Sequence, residues 1–170
     1  MKKIRFHSRD AIGYHPLELP RLKLETNGFW LAPGPEAWSA VARAGENPIE
    51  GLSGVRNLFT KLLALLTMCD PFDIGGKIDS SQLGKPALFM FDRYPGGLGF
   101  SEQGFMRLDE LAASALRHLE TCDCATGCPA CVGLPILHVA QQQDPDLGRG
   151  HDMPGKRAAR LLLQHWGAGT

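Results

Sequence analysis

Four of the five cysteines in this chain of 170 residues fall in one run, Cys122-Asp123-Cys124-Ala125-Thr126-Gly127-Cys128-Pro129-Ala130-Cys131. The spacing is C-x-C-x3-C-x2-C. Four thiolates this close together match the needs of a structural zinc ion, which takes soft sulfur ligands in a closed tetrahedron. Gly127 gives the backbone freedom for a turn that brings the two cysteine pairs to one point. Pro129 restrains the last turn and lowers the entropy lost in forming it. Cys122, Cys124, Cys128 and Cys131 are the candidate ligands, and Zn2+ is the expected cofactor.

Other readings compete. An iron–sulfur cluster usually draws on more widely spread cysteines. Two disulfides are possible on paper, but Cys122 and Cys124 are too close to bridge easily and the other pairings close strained loops. Met1-Lys2-Lys3 leads straight into an alternating stretch with no apolar leader core. The expectation is a reducing, cytoplasmic setting, where clustered cysteines favour metal. A thioredoxin-type site would use one C-x-x-C near a helix start. A catalytic zinc is suggested by His118-Leu119-Glu120 with Cys128 and Cys131, which superficially match parts of the zinc deaminase pattern. The order fails, because that pattern places proline before the first cysteine and this chain has Cys128-Pro129. Four thiolates also leave no open position for water. His118 is therefore read as a helix-face histidine. Cys69, beside an apolar run, is read as a small buried hydrophobe.

Lys plus Arg and Asp plus Glu number 18 each, so the net charge is zero. No global field draws the chain to nucleic acid or to an anionic membrane. Hydrophobic residues make up 44% and charged residues 21%, ordinary for one domain with its own core. A single domain over 1–170 is expected, with the knuckle at 122–131. The most apolar run, Leu62 to Leu66, is far too short to span a bilayer. No Walker motif is present, so no ATPase, no catalytic residue and no small-molecule substrate are assigned.

The remaining pattern predicts an α+β fold, a small and mainly antiparallel sheet packed with about four helices. Ile4 and Phe6 alternate with Lys3 and Arg5, a half-buried strand over Lys3 to Ser8. A strand so near the first residue carries the expectation that the chain belongs to something larger. Leu17 to Leu19 and Leu22 to Glu25 alternate around Pro20, an edge strand or bulge. Gly28 to Leu31 continues as a strand. Helices are expected over Pro35 to Ala44, Leu52 to Met68, Ser101 to about Thr121, and from near Pro154. The second is apolar on all sides and reads as the buried core helix. Asp70-Pro71 ends it. Asp73 to Gly76 and Lys77 to Lys85 read as loop, and Pro86 to Phe91 as a central strand.

Strand, glycine-rich turn and helix start follow one another at Pro95 to Gly99, the generic order of an anion site. Neither phosphate-loop pattern is matched. A tight turn in which the glycines allow close packing is the preferred reading, with a contact to a backbone phosphate as the alternative. Asp92, a carboxylate beside the turn, works against an anion.

Several pieces combine into a longer pattern: Cys69-Asp70-x-x-Asp73-Ile74-Gly75-Gly76, then Phe91-Asp92-x-Tyr94-Pro95-Gly96-Gly97-x-Gly99, a helix, and Cys122-x-Cys124-x3-Cys128-Pro129-x-Cys131-Val132. In order and spacing this resembles the zinc-binding C-terminal domain of bacterial DEAD/DEAH-type helicases related to the mitomycin-repair helicase MrfA. The resemblance covers roughly Lys3 to the final helix. It implies zinc on the four cysteines, no catalytic residue in this domain, and a separate ATP-dependent motor that moves along single-stranded DNA. It also implies a place in DNA repair or phage defence. The chain departs from the pattern after Val132, where many relatives carry another cysteine and this one has Gly133-Leu134-Pro135-Ile136.

The expected function is a non-catalytic accessory domain of a superfamily-two DNA helicase, with the motor domain or subunit and single-stranded DNA as partners. The alternative is a protein–protein scaffold that docks on a motor without touching nucleic acid. Candidate nucleic-acid contacts are Arg117, Lys156, Arg157 and Arg160, with Arg149 in reserve, on the condition that they gather on one face with the knuckle.

Overall fold

A computed structural model describes residues 2–5, 7–8, 10–14, 20, 23–134 and 154–166. The chain opens with an antiparallel pair, β1 (Lys2–Ile4) and β2 (Ala11–Tyr14), which forms a sheet of its own. Then follow β3 (Gly28–Leu31), α1 (Pro35–Arg43), α2 (Pro48–Thr67), a 3-10 turn (Pro71–Asp73), β4 (Ile74–Asp79) and β5 (Ala87–Asp92). The last elements are α3 (Phe100–Met106), α4 (Leu108–Thr121) and α5 (Lys156–Gln164). The strand expected over 17–19 and the polar stretch 141–150 lie outside the described residues, while Lys23, Leu24 and Glu25 of the strand expected over 22–25 are described and form no strand.

The main sheet has the order β3-β5-β4 and is antiparallel throughout. β5 is central, as its unbroken apolar run Ala87-Leu88-Phe89-Met90-Phe91 requires. β3 joins this sheet and not the β1–β2 pair, so the expected single β region in the first third of the chain is two separate sheets.

β4 corrects the loop expected after Asp73. Two glycines, Lys77 and Asp79 obscure its alternation, yet Ile74 and Ile78 are buried. The glycines are there for packing. A Cβ at Gly75 would lie 2.3 Å from the Phe91 ring, and one at Gly76 would lie 2.8 Å from Cγ of Arg56.

α2 is the core element. It begins earlier than its apolar run because Asn47 caps it, accepting a hydrogen bond from Ile49 N at 2.9 Å. Leu52, Val55, Leu58, Phe59 and Leu63 are buried. It is not buried on all sides, however: the apolar Leu65 is 75% exposed. α5 lies across its first turns through small residues. A Cβ at Gly51 would meet Ala158 Cβ at 3.0 Å, and one at Gly54 would meet Ala159 Cβ at 3.1 Å.

The helix expected from Ser101 to Thr121 is two helices, broken at Arg107 (φ −112°, ψ 29°). That break raises the helix number from the expected four or so to five among the described residues. The first of the two starts a residue earlier than expected, behind Gly99 at φ 85°, and Asp92 does the capping.

Candidate metal centre

α4 points its C-terminal end at the knuckle and passes the chain to Cys122, which leaves the helix in extended backbone. Cys131 N and Val132 N both donate to Cys128 O, at 3.1 and 3.0 Å, and wind the last cysteine pair into a tight turn. Gly127 sits at φ 133°. A Cβ there would lie 2.9 Å from Val132 Cγ2 and 3.2 Å from Pro154 O, so glycine lets the loop close against the residues that lead into α5.

The four expected sulfurs converge. Their Sγ atoms all lie within 4.8 Å of one another. The separations are 3.5 Å for Cys122–Cys124, 3.6 Å for Cys122–Cys128, 3.4 Å for Cys124–Cys131 and 3.7 Å for Cys128–Cys131. A tetrahedron with metal–sulfur bonds of about 2.3 Å has edges of about 3.8 Å. The arrangement therefore fits one zinc ion with little movement. Disulfides are absent, and the cysteines are free thiols.

The thiols do not ionise equally. Backbone donation involving Cys131 draws the Cys128 thiol down to about 6, while burial pushes the Cys131 thiol up to about 12. Cys122 also rises: a backbone contact with Cys124 lowers it, but the neighbouring thiols of Cys124 and Cys128 outweigh that. Sulfurs this close resist sharing negative charge, and a dication at their centre removes the conflict. Cys69 stands apart, packed against the core with its Sγ 3.2 Å from Thr67 Oγ1.

Side chains from three helices hold the knuckle by its carbonyls. From α2, Asn57 Nδ2 donates to Val132 O at 2.8 Å and Leu134 O at 3.1 Å, and Lys61 Nζ donates to Pro129 O at 3.1 Å. From α4, His118 Nε2 lies 3.1 Å from Ala130 O. A carbonyl only accepts, so that nitrogen carries the proton. From α5, Lys156 Nζ donates to Cys122 O at 2.5 Å and Cys124 O at 2.7 Å. None of these partners was expected. His118 alone had a local signal, one helical turn before Cys122; the others are brought in by tertiary folding.

The candidate nucleic-acid residues do not form one free cluster. Lys156 is tied to the knuckle. Arg157 pairs with Glu46 at 3.6 Å, and Arg117 Nη2 donates to Ser114 Oγ at 2.9 Å. Arg157 and Arg160 share the exposed stripe of α5, opposite its buried Ala158, Ala159, Leu162 and Leu163. Arg149 lies outside the described residues.

The glycine turn holds an anion of its own. Asp92 is fully buried. Its Oδ2 accepts from Leu98 N, Gly99 N and Phe100 N at 2.6, 2.9 and 3.2 Å, and its Oδ1 accepts from Ser101 N at 2.8 Å. Burial opposes its ionisation, but the backbone donors of Leu98, Ser101 and Phe100 outweigh burial and hold its pKa below the ordinary value. The donors an incoming phosphate would use are thus taken. Among the described residues, no helix is long and apolar enough to cross a membrane.

Residues 55–132 match the family model described as the MrfA Zn-binding domain. The chain is 33% identical over 138 residues to the uncharacterized ATP-dependent helicase YprA of Bacillus subtilis, covering 79% of this chain and 18% of YprA. It is 28% identical over 86 residues to protein MJ1572.1 of Methanocaldococcus jannaschii, covering 48% of this chain and 77% of that protein. Its fold superimposes on the DUF1998 helicase MrfA, solved bound to DNA, with a TM-score of 0.66 and 25% identity over 96% of this chain and 20% of that one. The chain thus spans about a fifth of the length of the helicases it matches. With its cysteines gathered on one point at the end of α4, the chain resembles the MrfA zinc-binding domain over residues 55–132, and its four sulfurs fit zinc as cofactor.

Proposed function

We propose that this chain is a non-catalytic accessory domain of a DNA helicase, and that Cys122, Cys124, Cys128 and Cys131 hold its structural zinc. The observation that carries the reading is the closed set of four sulfurs seated among three core helices, in a fold shared with a DNA-bound helicase. A four-thiolate zinc offers no open position, so its chemistry is to fix backbone and not to activate water. ATP hydrolysis belongs to a motor outside these residues, and DNA repair or phage defence is the setting in which such a motor would work.

Two modes of action remain distinct: holding the departing strand, or bracing the motor. Bracing has the better support. The candidate cations are partly engaged inside the domain. Arg107 Nη1 reaches Leu66 O at 3.5 Å and ties the ends of α2 and α3 together. Around those ends Leu65, Met68, Phe105 and Met106 are exposed, the kind of apolar surface that marks a protein partner. The same surface supports the alternative of a pure scaffold that never meets nucleic acid.

The test has two parts. The chain purified without chelator should carry one zinc and no iron chromophore by elemental analysis and absorption. In the complete helicase, Cys128→Ser should cut strand unwinding more than DNA-stimulated ATP hydrolysis. A metal-free native chain, or unwinding unchanged by Cys128→Ser, refutes the proposal.

A further inference from the structure

We infer that Lys156 is a positioning residue for the metal, its ammonium clamping the C-x-C arm of the knuckle so that the four-sulfur centre and α5 order as one unit. The inference rests on the zinc reading above and extends it to a residue outside the cysteine motif.

Lys156 lies 34 residues beyond Cys122, so its contacts are not those of a local turn. An ammonium has three donors and no acceptor. Two of the donors are used on Cys122 O and Cys124 O, the carbonyls of the first two ligands. Fixing both carbonyls fixes the peptide planes that aim Cys122 Sγ and Cys124 Sγ at their common point. The backbone of the same residue adds a third grip, Lys156 N donating to Thr126 O at 3.1 Å. One position before it, Gly155 N donates to Glu50 O at 3.1 Å and pins the start of α5 to α2. The buried side chains Ala158, Ala159, Leu162 and Leu163 then continue that contact along the helix.

Charge points the same way. Zinc with four thiolates carries a net charge of about −2. Lys156 and Lys61 both place an ammonium on knuckle carbonyls, and Lys156 is half-buried, where screening by solvent is weaker. Partners that orient metal ligands from outside the coordination sphere typically change metal affinity by about 10- to 100-fold when removed.

The test uses the 170-residue chain loaded with zinc, with Lys156→Met, Lys156→Arg and, as a control, the exposed Lys85→Met. Zinc transfer to a chromogenic chelator and amide exchange across α5 are measured. Lys156→Met should release zinc about tenfold faster or more and raise exchange in α5. Lys156→Arg should restore part of both, and Lys85→Met should match the native chain. Release within about twofold of native, or unchanged exchange in α5, overturns the inference. If Lys156→Met does not fold, the native chain decides: removing its zinc should raise exchange in α5, and unchanged protection there overturns the inference. A native chain that holds no zinc defeats the metal reading itself and this inference with it, an outcome distinct from zinc that is bound but indifferent to Lys156.

Discussion

Replacing Asp92 with Asn tests whether the glycine turn is organised by a buried carboxylate. The side chain keeps its size and loses its charge and one acceptor. In the best orientation the amide oxygen takes the place of Oδ2 and still meets Leu98 N, Gly99 N and Phe100 N. The amide NH2 then faces Ser101 N, which sat 2.8 Å from Oδ1, donor against donor. An unpaired buried N–H costs about 1–3 kcal/mol. Three bonds that change from charge-assisted to neutral lose roughly 1 kcal/mol each. Relief from burying a charge offsets part of this, by a few kcal/mol at most. The expected net loss is about 3 kcal/mol, or roughly 6–12 °C in Tm for a domain of this size.

The pH dependence checks the cause. The folded pKa of Asp92 lies below the ordinary aspartate value of 3.8. A depressed carboxylate contributes stability that is fully present above the unfolded pKa and is lost as pH falls through the folded one. The gap between native chain and variant should therefore be full at neutral pH and shrink on acidification below 3.8. Thermal unfolding followed by circular dichroism at several pH values measures it. Taking the difference cancels the acid sensitivity of the thiolates, which both chains share. A Tm within about 2 °C of native at neutral pH, or a gap that does not change with pH, would refute the reasoning.

Two further outcomes follow from the packing and the charges. Arg157→Ala with Arg160→Ala should weaken any binding of single-stranded DNA by the chain and flatten its log–log salt slope by about 1.4, at roughly 0.7 per contact; titration of labelled DNA at two salt concentrations reads this, and an unchanged slope removes α5 from the DNA-binding surface. Gly28→Ala places a Cβ 2.7 Å from the Met90 carbonyl oxygen on the central strand, and should cost about 1–3 kcal/mol in denaturant unfolding; a variant as stable as the native chain would mean that β3 can shift on β5 freely.

The metal centre was legible because its ligands are close in sequence. C-x-C-x3-C-x2-C limits the geometry before anything is known of the fold, and the sulfurs meet as the spacing demands. β5 was legible for a related reason: a central strand is apolar on both faces, and its run shows that directly. β4 was hidden because its meaning lies in its neighbours. Gly75 and Gly76 read as loop residues until the Phe91 ring and the Arg56 stem are set beside them. Lys156 and Asn57 were hidden for the same physical reason. A basic residue on an amphipathic helix reads as a solvated face, and only the folded chain shows the carbonyls it meets. The arginine break between α3 and α4 leaves the apolar spacing nearly intact, so periodicity alone did not report it.

A domain with a continuous apolar core does not need a metal to fold in the way a very small domain does. Leu52, Leu58, Phe59, Leu88 and Met90 are fully buried in a core drawn from α2 and β5, which the knuckle joins only through Cys131 and Val132 and the sulfurs packed against it. The zinc must then act on position. It sits where α2, α4 and α5 converge, and each helix reaches the knuckle through a side chain that donates to its carbonyls. Binding energy for a structural zinc, on the order of 10 kcal/mol, applied at that junction holds the middle of α2, the end of α4 and the start of α5 in fixed relation. Such a rigid corner is of little use to a surface that merely collects phosphates, which tolerates motion because its contacts are long-ranged. It suits a surface that must keep its shape under load from a moving partner. Rigidity at this corner, more than the neutral charge, supports the proposed bracing of a motor.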